Sequence, residues 1–155
     1  MYKVMLADDE GIVIDSMKFI IEKEFGDECV IEYAKTGRSV IELAESFRPD
    51  IAIMDIQMPG INGIQAAQEI RRFDEGADII YLTSSPDFAY ASYGVHALDY
   101  LLKPIQKEML FSILDKLLRG EEDLSDCLSL KCGASFLRIP FRKLIYVEVM
   151  NKHLY

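Results

Sequence analysis

Short apolar runs alternate with longer amphipathic stretches along the first three quarters of this 155-residue chain. Residues 3–7 (K-V-M-L-A) are apolar and stop at Asp8, Asp9 and Glu10, the signature of a strand running into an acidic turn. From Ile12 to Phe25, apolar Ile12, Val13, Met17, Ile20, Ile21 and Phe25 recur at spacings of three and four, which predicts an amphipathic helix ended by Gly26. Cys29 to Ala34 reads as a second strand, and Thr36-Gly37 opens a helix through Phe47, closed by Pro49. The run Ile51-Ala52-Ile53-Met54 then ends in Asp55 and is followed by a turn carrying Pro59, Gly60, Asn62 and Gly63. A continuous apolar run bounded in this way predicts a strand buried on both faces.

The alternation continues with a helix from Gly63 to about Phe73 and a strand over Asp78 to Leu82, followed by Thr83-Ser84-Ser85. Asp87 to Val95 predicts a helix weakened by Gly94 and its aromatic content. Asp99 to Leu102 is a fifth strand ending at Lys103-Pro104, and Lys107 to Arg119 stripes Leu110, Ile113, Leu114, Leu117 and Leu118 along one helix face. Five strand–helix alternations with short connections predict a doubly wound parallel sheet with helices on both faces. After Gly120 the pattern changes. Residues 120–126 read as a linker, Leu128 to Lys131 alternates, Cys132-Gly133 turns, Ser135 to Ile139 extends until Pro140, and Leu144 to Val149 is a third β-rich run. The expected organisation is a domain over 1–119, a linker over 120–126 and a short β-rich segment over 127–155.

Composition narrows the class. Half of the residues are hydrophobic, enough for a real core and too many for a disordered chain. The apolar runs are too short to span a bilayer, and Met1-Tyr2-Lys3 leads into a strand rather than a signal peptide. Cys29, Cys127 and Cys132 are odd in number and lack metal-ligand spacing, which points to free thiols in a reducing cytoplasm. The net charge of −9 is uneven: residues 1–119 hold 12 Lys/Arg against 21 Asp/Glu, whereas residues 127–155 hold 5 Lys/Arg against 1 Glu. Only that basic end suits an approach to nucleic acid.

Candidate chemistry lies at the strand ends, where open α/β sheets place their ligand crevice. Asp8 and Asp9 arrive from the first strand, Asp55 from the third, Thr83 from the fourth and Lys103 from the fifth. Taken singly, each has a plainer reading: an Asp after a strand is commonly a cap or turn residue, and a Lys or Thr is a surface charge or another cap. Their joint arrival at one edge favours a site. Clustered carboxylates repel one another, and a divalent cation removes the conflict; oxygen ligands beside a phosphate substrate suit Mg²⁺. A carboxylate can attack phosphorus to give an acyl phosphate, with Mg²⁺ and Lys103 stabilising the phosphoryl oxygens and Thr83 binding one of them.

This constellation, with Asp55 inside M-D-I-Q-M-P-G-I-N-G and Lys103 followed by Pro104, resembles the receiver domain of two-component response regulators over about residues 2–119. The resemblance implies a flavodoxin-like sheet in the order 2-1-3-4-5 and phosphorylation of Asp55 by a sensor histidine kinase. It implies Mg²⁺ held by Asp9, Asp55 and the Gln57 backbone carbonyl, with Asp8 acting through water. It also implies a switch pair, Thr83 and Tyr100, and a cis Lys103-Pro104 bond. The phosphodonor histidine belongs to the partner, so His96 and His153 read as structural or surface residues, and Met54 and Met58 as packing.

The segment after the linker resembles the opening of a LytTR-type DNA-binding domain, and Y-G-V-H-A-L-D-Y-L-L-K-P-I in the receiver-like part points to the same subfamily. That module runs to roughly a hundred residues, a usual domain size, so the chain is expected to be part of a longer regulator and offers no DNA-contact residues. Three short strands cannot bury their apolar residues alone; Phe136, Ile139, Ile145 and Val147 are expected to pair with another copy or to pack on the first domain. The resulting expectation is a cytoplasmic, non-enzymatic response regulator that dimerises on phosphorylation and acts on promoter DNA. Two alternatives stand beside it. One is a receiver that signals through protein contacts alone. The other is a Mg²⁺-dependent phosphatase resembling the haloacid dehalogenases, against which Gln57 stands where that family usually carries a second Asp.

Overall fold

The computed structural model describes residues 1–84 and 99–120 and, beyond them, the strands at 127–132, 135–140, 149–150 and 153–154. The helix expected over 87–95, Ser85, His96, Ile145, Val147 and the 121–126 stretch of the linker lie outside the described residues. The chain divides into two units, Met1–Leu118 and Arg119–Tyr155.

In the first unit β1 (Tyr2–Ala7), β2 (Cys29–Ala34), β3 (Ile51–Asp55), β4 (Asp78–Thr83) and β5 (Asp99–Leu102) form one parallel sheet in the order β2-β1-β3-β4-β5. The flavodoxin-like order expected above is the one found. Among the described residues four α-helices accompany it: α1 (Gly11–Phe25), α2 (Gly37–Phe47), α3 (Gly63–Arg71) and α4 (Lys107–Arg119).

Successive residues of a strand point to opposite faces, and here both faces are apolar. Val4, Leu6, Ile51, Ile53, Ile80 and Leu82 form one core layer with Ile14, Met17, Ile21 and Phe25 of α1 and Leu110, Ile113, Leu114 and Leu118 of α4. Met5, Ala7, Ala52, Met54, Ile79 and Tyr81 form the other with Val40 and Ala44 of α2 and Ala66, Ala67 and Ile70 of α3. All five residues of β3 are buried, as expected of a central strand, whereas the edge strand β2 leaves Val30 and Tyr33 exposed.

Local signals set the helix ends. Thr36 caps α2 and exchanges hydrogen bonds with Ser39, and Asn62 caps α3 in the same reciprocal way with Gln65. The α3 helix stops at Arg71, two residues short of the expected Phe73, because Asp74, Gly76 and Ala77 form a turn in which the Asp74 carboxylate accepts from the two following amides.

In the second unit β6 (Cys127–Cys132) pairs antiparallel with β7 (Ser135–Pro140), and β8 (Val149–Met150) with β9 (His153–Leu154). Phe136 and Ile139, expected to find another copy or the first domain, stand in the ladder opposite Lys131 and Leu128 of the same chain. The third β-rich run, expected over Leu144 to Val149, lies outside the described residues except for Val149, where β8 starts; β9 follows at His153.

Candidate functional site

The register of the sheet assembles the site. Ala7 lies opposite Met54, Asp55 opposite Leu82 and Thr83 opposite Leu102, so Asp8, Asp55, Thr83 and Lys103 all leave the sheet within about one residue of the same edge. Backbone hydrogen bonds continue the ladders past the strand ends: Asp8 N–H to Ala34 O (3.3 Å), Ile56 N–H to Leu82 O (2.9 Å) and Lys103 N–H to Thr83 O (2.9 Å). The candidate side chains therefore stand on backbone fixed by the ladders.

Three of them are buried polar groups: Asp8, Asp55 and Thr83 are at most 3% exposed. Lys103 ties the carboxylates together, with Nζ 2.8 Å from Asp8 Oδ2, 3.0 Å from Asp55 Oδ2 and 3.3 Å from Glu10 Oε1. Backbone amides hold the remaining oxygens. The Gln57 N–H donates to Asp55 Oδ1 (3.0 Å), and the Glu10 N–H to Asp8 Oδ1 (2.8 Å). Burial pushes the Asp55 carboxyl above the usual carboxylate range; hydrogen bonds from Lys103 and Gln57 pull against that, and the Asp8 charge adds to it. Desolvation works against the Lys103 ammonium, but hydrogen bonds and charge from Asp8 and Asp55 override it and hold its proton far more tightly than usual.

Oxygens of Asp8, Asp9 and Glu10 gather within 4.8 Å of one another. With Asp55 the edge holds four carboxylates and one ammonium, which pairs with Asp8, Glu10 and Asp55, so the site is left with excess negative charge. All the side-chain donors are hard oxygens. Such a set fits a divalent cation of the Mg²⁺ type and not a soft metal. Asp8, Asp55, Thr83 and Lys103 thus meet at one edge with Asp9 beside them, and the Lys103–Pro104 bond is cis. Tyr100 lies one step back in β5, opposite Tyr81 in register, and their rings pack 5.6 Å apart.

Two participants were missed by sequence reasoning. Glu10 looked like a third residue of an acidic turn, yet its carboxylate reaches a lysine 93 positions away. Ser84 Oγ donates to Gln57 Oε1 at 3.2 Å, joining the loops after β4 and β3. Periodicity carries no trace of either contact, although the strict D-D-E sequence at a strand end is a signal that a third acid is available.

Comparison with known proteins agrees with this geometry. The family model of the response regulator receiver domain matches residues 4–115. The chain is 38% identical over 123 residues to the transcriptional regulatory protein HptR of Staphylococcus aureus, covering 77% of this chain and 47% of that protein. It is 36% identical over 110 residues to the sensory transduction protein LytT of Oceanobacillus iheyensis, covering 68% and 43%. The chain thus spans less than half the length of these relatives. Among solved structures, the receiver domain of the response regulator AraT from Geobacillus stearothermophilus superposes with a TM-score of 0.67 at 30% identity, covering 77% of this chain and 94% of that one. A LuxR-family two-component response regulator from Aurantimonas gives 0.70 at 28%, covering 79% and 88%.

Proposed function

The chain belongs to the response regulator receiver domain family, and on that footing we propose that Asp55 accepts a phosphoryl group from a sensor histidine kinase in a Mg²⁺-dependent reaction. The observation that carries this reading is a buried carboxylate, Asp55, held 3.0 Å from a lysine ammonium at the carboxyl edge of the sheet with Asp8 and Asp9 alongside. The phosphodonor histidine is read as the kinase's own, and His96 and His153 take no part in the transfer in this reading.

In the transfer an Asp55 carboxylate oxygen forms the new P–O bond while the P–N bond to the donor imidazole breaks. The departing pair stays on that nitrogen, which takes up a proton. Lys103 donates to a phosphoryl oxygen, and the Gln57 amide steadies the carboxylate during attack. Asp9, Asp55 and the Gln57 carbonyl, with Asp8 through water, are the residues that would hold Mg²⁺; when bound it supplies neutralising charge to the phosphoryl oxygens. The product remains on Asp55 and no external substrate turns over, so the chain is read as a signalling module and not as an enzyme.

Thr83 binds the new phosphoryl group in this reading, and Tyr100, whose ring packs against Tyr81, follows its movement. That two-state element would remodel the face around β5 for dimerisation. A transcriptional output in the cytoplasm is the reading favoured by the basic character of 127–155, the LytTR-like pattern there and the regulators named above. Among the described residues no helix is long and apolar enough to cross a membrane.

The test is intact mass after incubation with Mg²⁺ and acetyl phosphate, comparing the wild type with Asp55→Asn. One added phosphoryl group, absent in the variant and absent without Mg²⁺, is the expected result. An adduct that survives Asp55→Asn would overturn the assignment.

A further inference from the structure

Lys103 Nζ stands among three carboxylates: it donates to Asp55 at 3.0 Å and to Glu10 at 3.3 Å, and it forms an ion pair with Asp8 at 2.8 Å. The ammonium is thus surrounded by carboxylates before any phosphoryl group arrives. If Lys103 is to turn toward a phosphoryl oxygen, which rests on the reading of Asp55 given above, the contact that yields most easily is the one to give way.

The three partners are unequal. Asp8 is fully buried and its Oδ2 forms no hydrogen bond among the described residues, so losing the 2.8 Å ion pair would strand a carboxylate away from water. Asp55 is the group to which the phosphoryl group attaches, and Lys103 must stay beside it. Glu10 makes the longest contact and its side chain is 60% exposed, so water can replace the ammonium there at little cost. Its carboxylate also adds a negative charge beside the place where an anionic group must dock.

We propose that Glu10 is a positioning residue that competes with the phosphoryl group for Lys103: it restrains the ammonium at rest and is the partner displaced when Asp55 is phosphorylated. Glu10 would then slow phosphoryl capture, acting as a brake set by one exposed ion pair and opposite in effect to the metal-holding acids beside it.

Glu10→Gln separates this role from one in holding the cation. The affinity for Mg²⁺ alone and the affinity for beryllofluoride at saturating Mg²⁺ are titrated in wild type and variant, beside the rate of adduct formation with acetyl phosphate. Expected are beryllofluoride binding tighter and adduct formation faster by about two- to fivefold, the factor an exposed ion pair carries, with Mg²⁺ affinity unchanged within about twofold. A second variant, Glu10→Asp, keeps the charge but shortens the reach to Lys103 by one methylene; it should side with Glu10→Gln. Weaker Mg²⁺ binding with slower adduct formation in Glu10→Gln would make Glu10 a cation ligand and overturn the proposal. No change in beryllofluoride affinity, or wild-type behaviour of Glu10→Asp, would overturn it as well. Failure of the underlying reading looks different: the wild type itself would take no adduct at Asp55.

Discussion

The two rims of the sheet use the same kinds of residue in opposite ways. At the amino rim, charged side chains serve neighbouring backbone. Asp50 Oδ2 accepts from the Lys3 amide at 2.8 Å, Lys3 Nζ donates to Phe47 O at 3.0 Å, and Arg48 donates to Phe73 O at 2.8 Å. Arg71 likewise reaches the carbonyls of Asp74 and Glu75. At the carboxyl rim, charges face other charges: Asp8, Glu10 and Asp55 converge on Lys103, with Asp8 and Asp55 buried. The first arrangement closes chain ends and is satisfied as it stands. The second leaves more negative charge than its one cation balances, which is a state waiting for a ligand.

The sharpest way to break this contrast is to remove the cation. In Lys103→Met the aliphatic stem remains, while the buried Asp8 Oδ2 loses its ammonium and Asp55 keeps only the Gln57 amide. A loss of about 3 kcal/mol in unfolding free energy is expected, at the low end for breaking a buried ion pair because Lys103 is partly solvated. Urea unfolding without divalent cations measures it. Added Mg²⁺ should recover part of the loss by replacing the ammonium with another positive charge. Unchanged stability in Lys103→Met would mean that the carboxyl rim is no more strained than the amino one.

Backbone placement at the same rim can be tested without touching a charge. Gly63 opens α3, and its N–H donates to Ile56 O at 3.0 Å. A Cβ added there would run into the carbonyl oxygen of Asp55 and lie 2.9 Å from its carbon. Gly63→Ala therefore pushes on the proposed phosphoacceptor. About 2 kcal/mol of destabilisation is expected, within the range for overpacking, together with slower adduct formation at Asp55. A variant that folds normally and phosphorylates at the wild-type rate would show that the rim tolerates displacement.

Much of this was legible in the sequence, for identifiable reasons. Strands such as Ile51–Asp55 are buried on both faces, so their apolar runs are unbroken and their ends are marked by the first charge. The strand order followed from the resemblance, and the residues at the strand ends from simple adjacency. Side-chain reach was not legible. That Glu10 bends to Lys103, that Ser84 meets Gln57, and that Gly63 is needed for close approach to Asp55 depend on distances across the edge. From the sequence, Gly63 is a turn residue at the start of a helix and nothing more. The limits of α3 were missed because Asp74 turns the chain with its side chain, which competes with the helix without disturbing its apolar pattern.

The smallest effect tests the quiet rim. Asp78 begins β4, and burial pushes its carboxyl above the ordinary value; Arg71 pulls it down, and Asp50 pushes it further up. A carboxyl whose folded value is raised binds its proton more tightly in the folded state. Its favourable contribution is present below the unfolded value, near pH 3.8, and is lost as pH rises through the folded one. Asp78→Asn has no such loss. The variant should therefore match the wild type in acid and gain on it as pH rises to neutrality, by less than about 1 kcal/mol because the group is partly solvated. Urea midpoints across that range measure the gap, and the gap should not respond to Mg²⁺, since Asp78 lies at the rim opposite the acidic cluster. A gap that closed on adding Mg²⁺ would couple the two rims and undo the division between them. A gap of the opposite sign would mean that the Asp78 charge is used by Arg71, as charges at the other rim are used by Lys103.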